Sequence, residues 1–285
     1  MKNNKIAKLL ICCRDRKGIV AKVSNFLFKN GANIIQSDQY TTDYQNGHFF
    51  MRIEFDQTNL SISKQIFEKK FSLIAENLEI KWSLYEGKKK KRMAIFVSKE
   101  GHCLFDLLWR WKSGELDVDI PVIISNHNDL KLLAEDFNIT YHHFNISKEN
   151  KEDQEKEILK HLYNIDFIVL ARYMQILSAK FINHYPSKII NIHHSFLPAF
   201  AGAKPYEKAY QRGVKLIGAT AHYATTNLDE GPIIEQDVLR VTHKDNPSDL
   251  KHKGQDIEKA VLAKAVKWHL EDRIIVHNNK TIVFS

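Results

Sequence analysis

The sequence predicts an α/β protein of two domains, a small βαββαβ unit followed by a larger, doubly wound unit with a mostly parallel sheet. The length of 285 residues suits two domains. The pattern of predicted elements changes partway along the chain, and a run of charged residues separates the two patterns. We therefore expect domains at 1–86 and 93–285, joined by a basic linker at 87–92.

The first domain alternates between the hydrophobic periods of strands and helices. Its predicted elements are strand 5–13, helix 19–27, strands 33–42 and 49–55, helix 62–75 and strand 78–85. Asn46-Gly47, between the second and third strands, is a strong hairpin signal. The order βαββαβ within so short a segment is ferredoxin-like.

Two short motifs flank the first predicted helix, DRKGIV before it and GANI after it. With the order of elements, they resemble the ACT family of small regulatory domains over residues 5–85. The resemblance implies that an amino-acid effector binds at the turn after the first strand, where two copies of the domain meet. Its residues would be Asp15, Gly18 and Asn33, and the chain would form a homo-oligomer, a dimer or a tetramer.

The second domain contains short apolar runs separated by helical segments. The predicted strands are 93–97, 122–125, 167–171 and 189–192, and the predicted helices are 103–112, 129–137, 153–163 and 179–184. Such runs are typical of buried parallel strands. Ligands of these sheets bind beyond the carboxyl ends of the strands, so the residues that follow each strand are the candidates for a site.

The strongest candidates follow the fourth of these strands, in the segment IINIHHSFLP. Asn191 and His193 are two residues apart and project to the same face of an extended strand. Asp229 lies in a polar loop from which it can fold back onto the histidine. The chain has no GxGxxG, GxxxxGK[ST], HExxH or CxxC motif, so we expect neither a nucleotide site of those kinds nor a metal.

The pattern Asn-x-His-x-Ser-x-Leu-Pro, followed by His-x(6)-Asp-x-Gly-Pro-Ile-Ile, resembles the folate-dependent formyltransferase superfamily over 93–285. The resemblance implies a catalytic trio of Asn191, His193 and Asp229. Asn191 and His193 would stabilise the oxyanion formed from the N10-formyl carbonyl. Asp229 would orient and deprotonate a water and pass its proton towards N10. His194, where many relatives carry proline, is expected to be structural or to act through a neighbouring site residue, and His222 to line the cleft.

The segment LARYMQIL at 170–177 resembles the pterin-binding loop of the same superfamily. Together with the segment 228–234, which contains Asp229, it implies a folate pocket. Its expected residues are Arg172, Met174, Ile176, Leu177, Leu228, Glu230 and Gly231. No cofactor is expected, because 10-formyltetrahydrofolate is then the substrate.

The acceptor of the formyl group decides between branches of the superfamily. The segment SKEGHCL has one glycine and is a poor phosphate cradle for a glycinamide ribotide. GAKPYEKAYQRGVKLIGATAHY and the ACT-like domain instead resemble the deformylase branch. This implies hydrolysis of 10-formyltetrahydrofolate to formate and tetrahydrofolate, which supplies formate for purine synthesis and balances one-carbon folate pools. A formyltransferase with an amine acceptor and a non-catalytic folate or amino-acid sensor are alternatives.

Charge, hydropathy and cysteine content limit the partners and the compartment that we expect for this protein. The net charge of +8 comes from scattered lysines without interleaved aromatics, so nucleic acid is not an expected partner. No apolar stretch approaches the roughly 20 residues that span a bilayer, so no membrane association is expected. The three cysteines form no CxxC pair, which favours reduced thiols in a cytoplasmic protein.

Overall fold

The computed structural model describes residues 5–43, 45–87, 90–198 and 205–285. The first residues of the predicted first domain, two residues of the predicted linker and the beginning of the GAKPYEKAY segment lie outside the described residues.

The chain divides into two compact units. The first unit runs to Lys90 and also includes Asp272–Ile275 and Ile282–Ser285, whereas the second comprises Lys91–Glu271 and Val276–Thr281. The sequence analysis assigned both C-terminal segments to the second domain and placed Lys91 in the linker. In the structure Lys91 begins a strand of the second unit, and the C-terminal segments group with the first.

The first unit has the βαββαβ order. Its elements are β1 (Ile6–Arg14), α1 (Ile19–Lys29), β2 (Asn33–Thr41), β3 (His48–Asp56), α2 (Lys64–Leu78) and β4 (Lys81–Glu86). The four strands form an antiparallel sheet in the order β2-β3-β1-β4. Both helices contribute buried residues to one core with this sheet, including Leu27 and Phe71 against Ile53. This burial is what makes the short helices stable in the domain.

The second unit contains the remaining elements. They are β5 (Lys91–Val97), α3 (His102–Lys112), β6 (Val118–Ser125), α4 (Lys131–Asp136), β7 (Thr140–His143), α5 (Lys151–Lys160), β8 (Phe167–Leu170), α6 (Ala179–His184), β9 (Ile189–His193), α7 (Pro205–Arg212), β10 (Leu216–Tyr223), β11 (Ile233–Arg240) and α8 (Pro247–Leu270). A short hairpin, β12 (Ile274–His277) and β13 (Lys280–Val283), has residues in both units.

The seven-stranded sheet of the second unit has the order β11-β10-β9-β8-β5-β6-β7. Strands β5 to β9 are parallel, and β10 is antiparallel to both of its neighbours. The chain first extends the sheet from β5 through β6 to β7, and then returns to β8 on the other side of β5. The point between β5 and β8 is therefore the topological switch where ligands of such sheets bind.

These two units confirm the predicted fold class. Four parts of the second unit had no predicted counterpart, namely β7, α7, α8 and the terminal hairpin. The 24-residue α8 begins with a capping box. The side chain of Asn246 accepts a hydrogen bond from the backbone N–H of Asp249, and the side chain of Asp249 accepts one from the backbone N–H of Asn246. The first half of α8 is so polar that the apolar stripe by which a helix is predicted is weak there. None of the helices among the described residues is long and apolar enough to cross a membrane.

Candidate active site

Asn191 and His193 lie at the carboxyl end of β9, near the topological switch. The pairing of β9 with β10 places Thr220 opposite His193 and His222 opposite Asn191. Because side chains alternate along a strand, the polar side chains of both pairs lie on one face of the sheet. The β10–β11 ladder shifts register between Ala221 and His222, and such a bulge re-aims the side chain that it carries.

Asp229 reaches these side chains from the loop between β10 and β11. Its Oδ2 lies 3.2 Å from Nδ1 of His193, and its Oδ1 lies 3.6 Å from Nε2 of His222. Hydrogen bonds from His193 and from His222 hold the pKa of Asp229 well below its usual value. Asp229 has a φ of 57°, a left-handed conformation that Asp tolerates better than most residues. The structure thus brings the predicted trio together.

Gly231 explains how the loop approaches the strand so closely. A Cβ atom at this position would lie 1.8 Å from the carbonyl oxygen of Tyr223. The carbonyl of Pro232 accepts a hydrogen bond from the backbone N–H of Tyr223 at 2.9 Å. The sequence analysis assigned Gly231 to folate binding, but it does not line the cavity. Its role is to let the segment that carries Asp229 lie against β10.

A cavity of about 770 Å³ opens beside the trio. Asn191, His193 and Asp229 line it, as does His222. Of the ring nitrogens of His193, Nδ1 faces Asp229, whereas Nε2 is buried and has no hydrogen-bond partner among the described residues. His193 is therefore a residue of the cavity wall with one ring nitrogen that the described protein groups leave unsatisfied.

Five of the seven residues expected to bind folate line this cavity, namely Arg172, Met174, Ile176, Leu177 and Leu228. Three of them are large apolar side chains with more than half of their surface exposed: Met174 (58%), Ile176 (60%) and Leu228 (61%). Exposed apolar surface of this kind inside a concave site suits a flat, partly apolar ligand.

Glu230 is the second expected folate residue that does not line the cavity. Its carboxylate accepts a hydrogen bond from Nδ2 of Asn227 at 3.0 Å, and its carbonyl accepts one from Asn279 at 2.8 Å. Glu230 and its partners therefore shape the loop. Folate binding by Glu230 stays a prediction.

His194 also lines the cavity, next to His193. Its ring centroid is 5.2 Å from that of His193 and 6.3 Å from that of Tyr206. Burial and then the charge of Arg172 lower the pKa of His194 to about 4, so the ring is neutral near pH 7. His194 therefore contributes a neutral imidazole to the cavity lining.

A buried carboxylate that the sequence analysis missed lies behind this wall. Glu258 of α8 accepts from the Tyr206 hydroxyl at 2.5 Å and pairs with Nε2 of His102 at 2.8 Å. Nε of Arg172 is 3.4 Å from the same carboxylate. Glu258 stands among the buried residues of α8, Ile257 and Val261 beside it. A lone acid within an apolar helical stripe was the signal that could have identified it.

His102, Cys103 and Glu258 are also the described residues that could bring three metal-ligating atoms together, within 4.8 Å of one another. Two observations disfavour a metal there. Burial raises the pKa of the Cys103 thiol well above its usual value, which opposes the deprotonation that a metal ligand needs. The guanidinium of Arg172 already lies beside Glu258 and supplies the positive charge that this carboxylate needs.

The residues expected to bind an effector lie in the first unit. Asp15 follows β1 and accepts a hydrogen bond from the Thr41 hydroxyl at 2.9 Å, and Gly18 precedes α1 with a φ of 88°. Asn33 begins β2 and pairs with Asp56, which also pairs with Ile6 at the start of β1. Within one copy, Asn33 is therefore separated from Asp15 by the nine residues of β1.

Two family models match the chain, the formyl transferase family over residues 91–266 and the ACT domain over 8–70. A formyltetrahydrofolate deformylase of Bacillus subtilis (strain 168) is 55% identical over 99% of this chain and 95% of its own length. The crystal structure of a formyltetrahydrofolate deformylase from Pseudomonas syringae pv. tomato superposes with a TM-score of 0.96 at 46% identity, covering 100% of this chain and 96% of that one.

A more distant structural neighbour matches only part of the chain. The glycinamide ribonucleotide transformylase 1 of Symbiobacterium toebii has a TM-score of 0.64 at 26% identity, and covers 69% of this chain and 95% of its own. The full-length matches, by contrast, include both units of the chain. The chain, with its ACT and formyl transferase domains, belongs to the formyltetrahydrofolate deformylase family.

Proposed function

We propose that this protein hydrolyses 10-formyltetrahydrofolate to formate and tetrahydrofolate. The observation that carries the proposal is the imidazole of His193, which lines a cavity with an apolar wall, is held by Asp229 at one nitrogen and has no hydrogen-bond partner among the described residues at the other. This arrangement suits a substrate with a pterin ring and a formyl group that water can attack.

In the first step, water attacks the formyl carbon. Nε2 of His193 takes a proton from the water as the new C–O bond forms, and the carbonyl oxygen becomes an oxyanion. The amide Nδ2 of Asn191 donates a hydrogen bond to this oxyanion. A donor of this kind typically contributes a factor of about 10² to 10³ in rate.

In the second step, the tetrahedral intermediate collapses. The bond between the formyl carbon and N10 breaks, and N10 takes the proton from Nε2 of His193, so tetrahydrofolate leaves as a neutral amine. The formic acid then loses its proton to solvent and leaves as formate. His193 returns to its starting state, ready for the next water.

Asp229 serves in this mechanism as the group that orients His193. The sequence analysis expected Asp229 itself to deprotonate the water. Its lowered pKa makes it a weak base, and both of its oxygens already face imidazole nitrogens. We therefore assign the proton transfers to His193 and the fixing of its tautomer to Asp229.

The proposal is tested by following tetrahydrofolate and formate produced by the purified protein without any amine acceptor. We expect steady release by the wild type and a loss of about 10³-fold or more in His193→Ala. His243→Ala, an exposed histidine outside the cavity, is the matched control and should keep full activity. Turnover only after an amine is added would instead identify a formyltransferase, and folate binding without turnover a sensor.

We also propose that the reaction needs no cofactor or metal. The best group of ligating side chains among the described residues, around Glu258, already contains the Arg172 guanidinium. Dialysis against a chelator such as EDTA should therefore leave the rate of formate release unchanged. A loss that Zn²⁺, Mg²⁺ or Fe²⁺ restores would refute this part of the proposal.

For the first unit, we propose a homo-oligomer that binds an amino acid between two copies. Strand β2 is an edge of the described sheet and exposes Ile35 and Tyr40. If two β2 strands pair antiparallel, Asn33 of a second copy approaches Thr41, which bonds Asp15. The residues that one copy holds apart would then form one site across the interface.

This arrangement predicts both association and regulation. Sedimentation should show a dimer or tetramer, and Ile35→Lys should dissociate it. A saturating effector should change the rate or folate affinity by roughly 5- to 150-fold, and Asp15→Ala and Asn33→Ala should each abolish that change. A monomeric wild type, or no response to any amino acid, would contradict the proposal.

Finally, we propose that the enzyme works in the cytoplasm, where its formate feeds purine synthesis and its activity balances folate pools. The adjacent thiols of Cys12 and Cys13 lie on one strand and point to opposite faces, so they do not pair with each other. Cells that lack the protein should need added formate or purine for growth when other sources of formate are limited.

A further inference from the structure

Six consecutive residues between β8 and α6, called here the pocket segment (172–177), all line the cavity. The segment has no regular secondary structure. Arg172 has a left-handed φ of 65°, a conformation that persists in such a residue only where its surroundings hold it. Within the part of the chain that the structure describes, no backbone–backbone hydrogen bond involves residues 172–177. The course of the segment therefore depends on side chains from elsewhere.

Ser98 supplies one of these side chains. It directly follows β5, the strand that pairs with β8, and its Oγ accepts a hydrogen bond from the backbone N–H of Met174 at 2.9 Å. Since a backbone N–H only donates, the hydroxyl keeps its own hydrogen for another partner. It donates this hydrogen to Oδ1 of Asn126, which follows β6, at 2.6 Å. Ser98 and Asn126 are both buried, so water does not readily replace either contact.

Glu155 of α5 holds the far end of the pocket segment. Its Oε1 accepts a hydrogen bond at 2.9 Å from the backbone N–H of Ser178, the residue that caps α6. Between the two ends, the buried ring of Tyr173 packs edge-on against Phe96, with their centroids 5.3 Å apart. Both ends of the segment are thus tied to buried side chains of other elements.

The pocket segment presents apolar side chains that the protein leaves uncovered. Met174 and Ile176 each keep more than half of their surface exposed. Removing such side chains from water is favourable, so an untied segment would fold over them and narrow the cavity. The bonds from Ser98 and Glu155 oppose this collapse, and the wall of the cavity is in place before a substrate arrives.

We propose that Ser98 is a positioning residue that holds the pocket segment ready for the folate, with Glu155 as the second anchor. Neither side chain lines the cavity, so each acts through the backbone that it holds. The proposal rests on the hydrolase function above. It also gives a role to the residue that opens the segment SKEGHCL, which is a poor phosphate cradle.

Removing the hydroxyl should weaken substrate binding and spare the chemical step. In Ser98→Ala, the pocket segment is in place in only a fraction of the unliganded molecules, and the apparent affinity falls by that fraction. Bound substrate restores the segment, so the reaction then proceeds as in the wild type. We expect the KM for 10-formyltetrahydrofolate to rise about tenfold, as for the loss of one buried hydrogen bond, with kcat within about twofold. A fall of kcat at unchanged KM would show a role in stability alone and refute the proposal.

Two serine variants serve as controls. Ser125→Ala removes another buried hydroxyl, one that accepts from the backbone N–H of His127 at 3.1 Å and does not line the cavity. It should leave the KM unchanged. Ser98→Thr keeps the hydroxyl and should bring the KM back towards the wild-type value. Equal rises of KM in Ser98→Ala and Ser125→Ala would contradict a specific role of Ser98.

The second anchor allows an independent pair of variants. Glu155→Gln keeps an oxygen that can accept from the backbone N–H of Ser178, whereas Glu155→Met has a side chain of similar length without this acceptor. Only Glu155→Met should raise the KM. The same KM in both variants would show that the bond to Ser178 does not position the pocket segment.

Amide hydrogen exchange, followed by NMR on the protein without ligand, tests the Ser98 anchor directly. The N–H of Met174 should be protected in the wild type and should exchange about tenfold faster in Ser98→Ala. Ser125→Ala should exchange as the wild type does. Exchange of the Met174 amide at the unprotected rate in the wild type, or at equal rates in the wild type and Ser98→Ala, would overturn the inference.

The exchange experiment needs no substrate, so it separates this inference from the proposed function. If the wild type released no formate, the hydrolase proposal would fail, whereas exchange at Met174 would still show whether Ser98 holds the pocket segment. Thermal melting of each variant identifies loss of folding. If Ser98→Ala does not fold, exchange in the wild type and the two Glu155 variants decide the inference.

Discussion

At the scale of single residues, Asp229 is placed between two imidazoles and touches both. Its contact with Nδ1 of His193 requires a hydrogen on that nitrogen, which leaves Nε2 to act on the substrate. The hydrogen bonds that lower the pKa of Asp229 are thus the same contacts that select the tautomer of His193. One carboxylate thereby sets the chemistry of the trio.

Replacing Asp229 by Asn should therefore damage catalysis more than binding. Asn accepts the left-handed backbone of this position, but its amide can donate to Nδ1 and so favours the wrong tautomer of His193. We expect kcat to fall by about 10³- to 10⁴-fold, with KM little changed. Steady-state kinetics of both Asp229→Asn and the control Glu230→Gln would check this. The control should stay within about twofold of the wild type, and full turnover by Asp229→Asn would refute the assignment.

The lowered pKa of His194 leads to a second prediction at this scale. With a pKa of about 4, the ring gains a proton only in strongly acidic solution, so its charge is constant between about pH 5.5 and 9. A fall of kcat/KM on the acid side within that range must come from another group. We expect His194→Gln to leave the midpoint of this fall unchanged, whatever it does to the maximal rate. A displacement by more than about half a pH unit would contradict the prediction.

At the scale of elements, the site depends on how closely the β10–β11 loop lies against its own strand. Gly231 allows the contact with the Tyr223 backbone, and β9 and β10 bring Asn191 opposite His222. The clustered side chains of Asn191, His193, His222 and Asp229 thus come from two neighbouring strands and one loop. A small displacement of the loop would separate Asp229 from both histidines.

Gly231→Ala should therefore impair catalysis through the loop. The added methyl cannot lie 1.8 Å from a carbonyl oxygen, so the segment must move and carry Asp229 with it. A misplacement of about 1 Å can cost roughly a hundredfold in rate, and we expect a loss of this order in kcat. Gly114→Ala is the control, since Gly114 also has a positive φ but open space around its Cα.

Kinetics and thermal melting together decide this prediction. Gly114→Ala should lose stability, by about 1 kcal/mol, and keep its kcat. Gly231→Ala should lose kcat even at temperatures where melting shows the protein to be folded. Equal effects of the two substitutions on kcat would mean that the loop tolerates the methyl group and that its position is not critical.

At the scale of the whole molecule, the chain returns at its C-terminus to complete the first unit. The carbonyl of Asp272 accepts a hydrogen bond at 2.8 Å from Nε of Arg52, a side chain with no exposed surface. The Asp272 carboxylate lies 3.4 Å from Nζ of Lys8. Phe284 is buried and bonded through its backbone to Arg273.

Deleting residues 272–285 should consequently destabilise the first unit. The buried guanidinium of Arg52 would lose its carbonyl partner, which we expect to cost about 3 kcal/mol or more. Asp272→Asn is the matched control, because it keeps the carbonyl that Arg52 contacts and removes the charge that pairs with Lys8, a pair worth at most about 1 kcal/mol. Denaturant unfolding of both proteins tests this, and equal stabilities would show that the Arg52 contact contributes little.

Several features of this protein follow from local sequence patterns. Hydrophobic periodicity and turn residues predicted the two kinds of sheet, because burial of alternate or consecutive apolar residues leaves a direct trace in the sequence. The spacing of Asn191 and His193 placed both on one face of a strand for the same reason. The distance along the chain from His222 to Asp229 is short enough for a loop to bring them together, so the trio was predictable as well.

The tertiary structure alone decided the features that join distant segments. Glu258 contacts His102 and Tyr206, which are 156 and 52 residues away along the chain, and no local sequence pattern predicts such contacts. Glu230 and Gly231 were expected in the pocket because they adjoin Asp229, but only the structure shows that neither lines the cavity. It also assigned the C-terminus to the second domain, since chain order cannot show where a segment returns.

The cross-strand register shows most clearly which features the sequence predicts and which only the tertiary structure decides. The sequence identifies an asparagine, three histidines and an aspartate as polar groups in apolar strands and a nearby loop. Which nitrogen of each ring donates depends on the partner within about 3 Å, and that partner is set by the pairing of β9 with β10 and by the bulge at His222. The residue types therefore determine which proton donors and acceptors the site contains. The tertiary contacts determine which of their atoms donate and which accept.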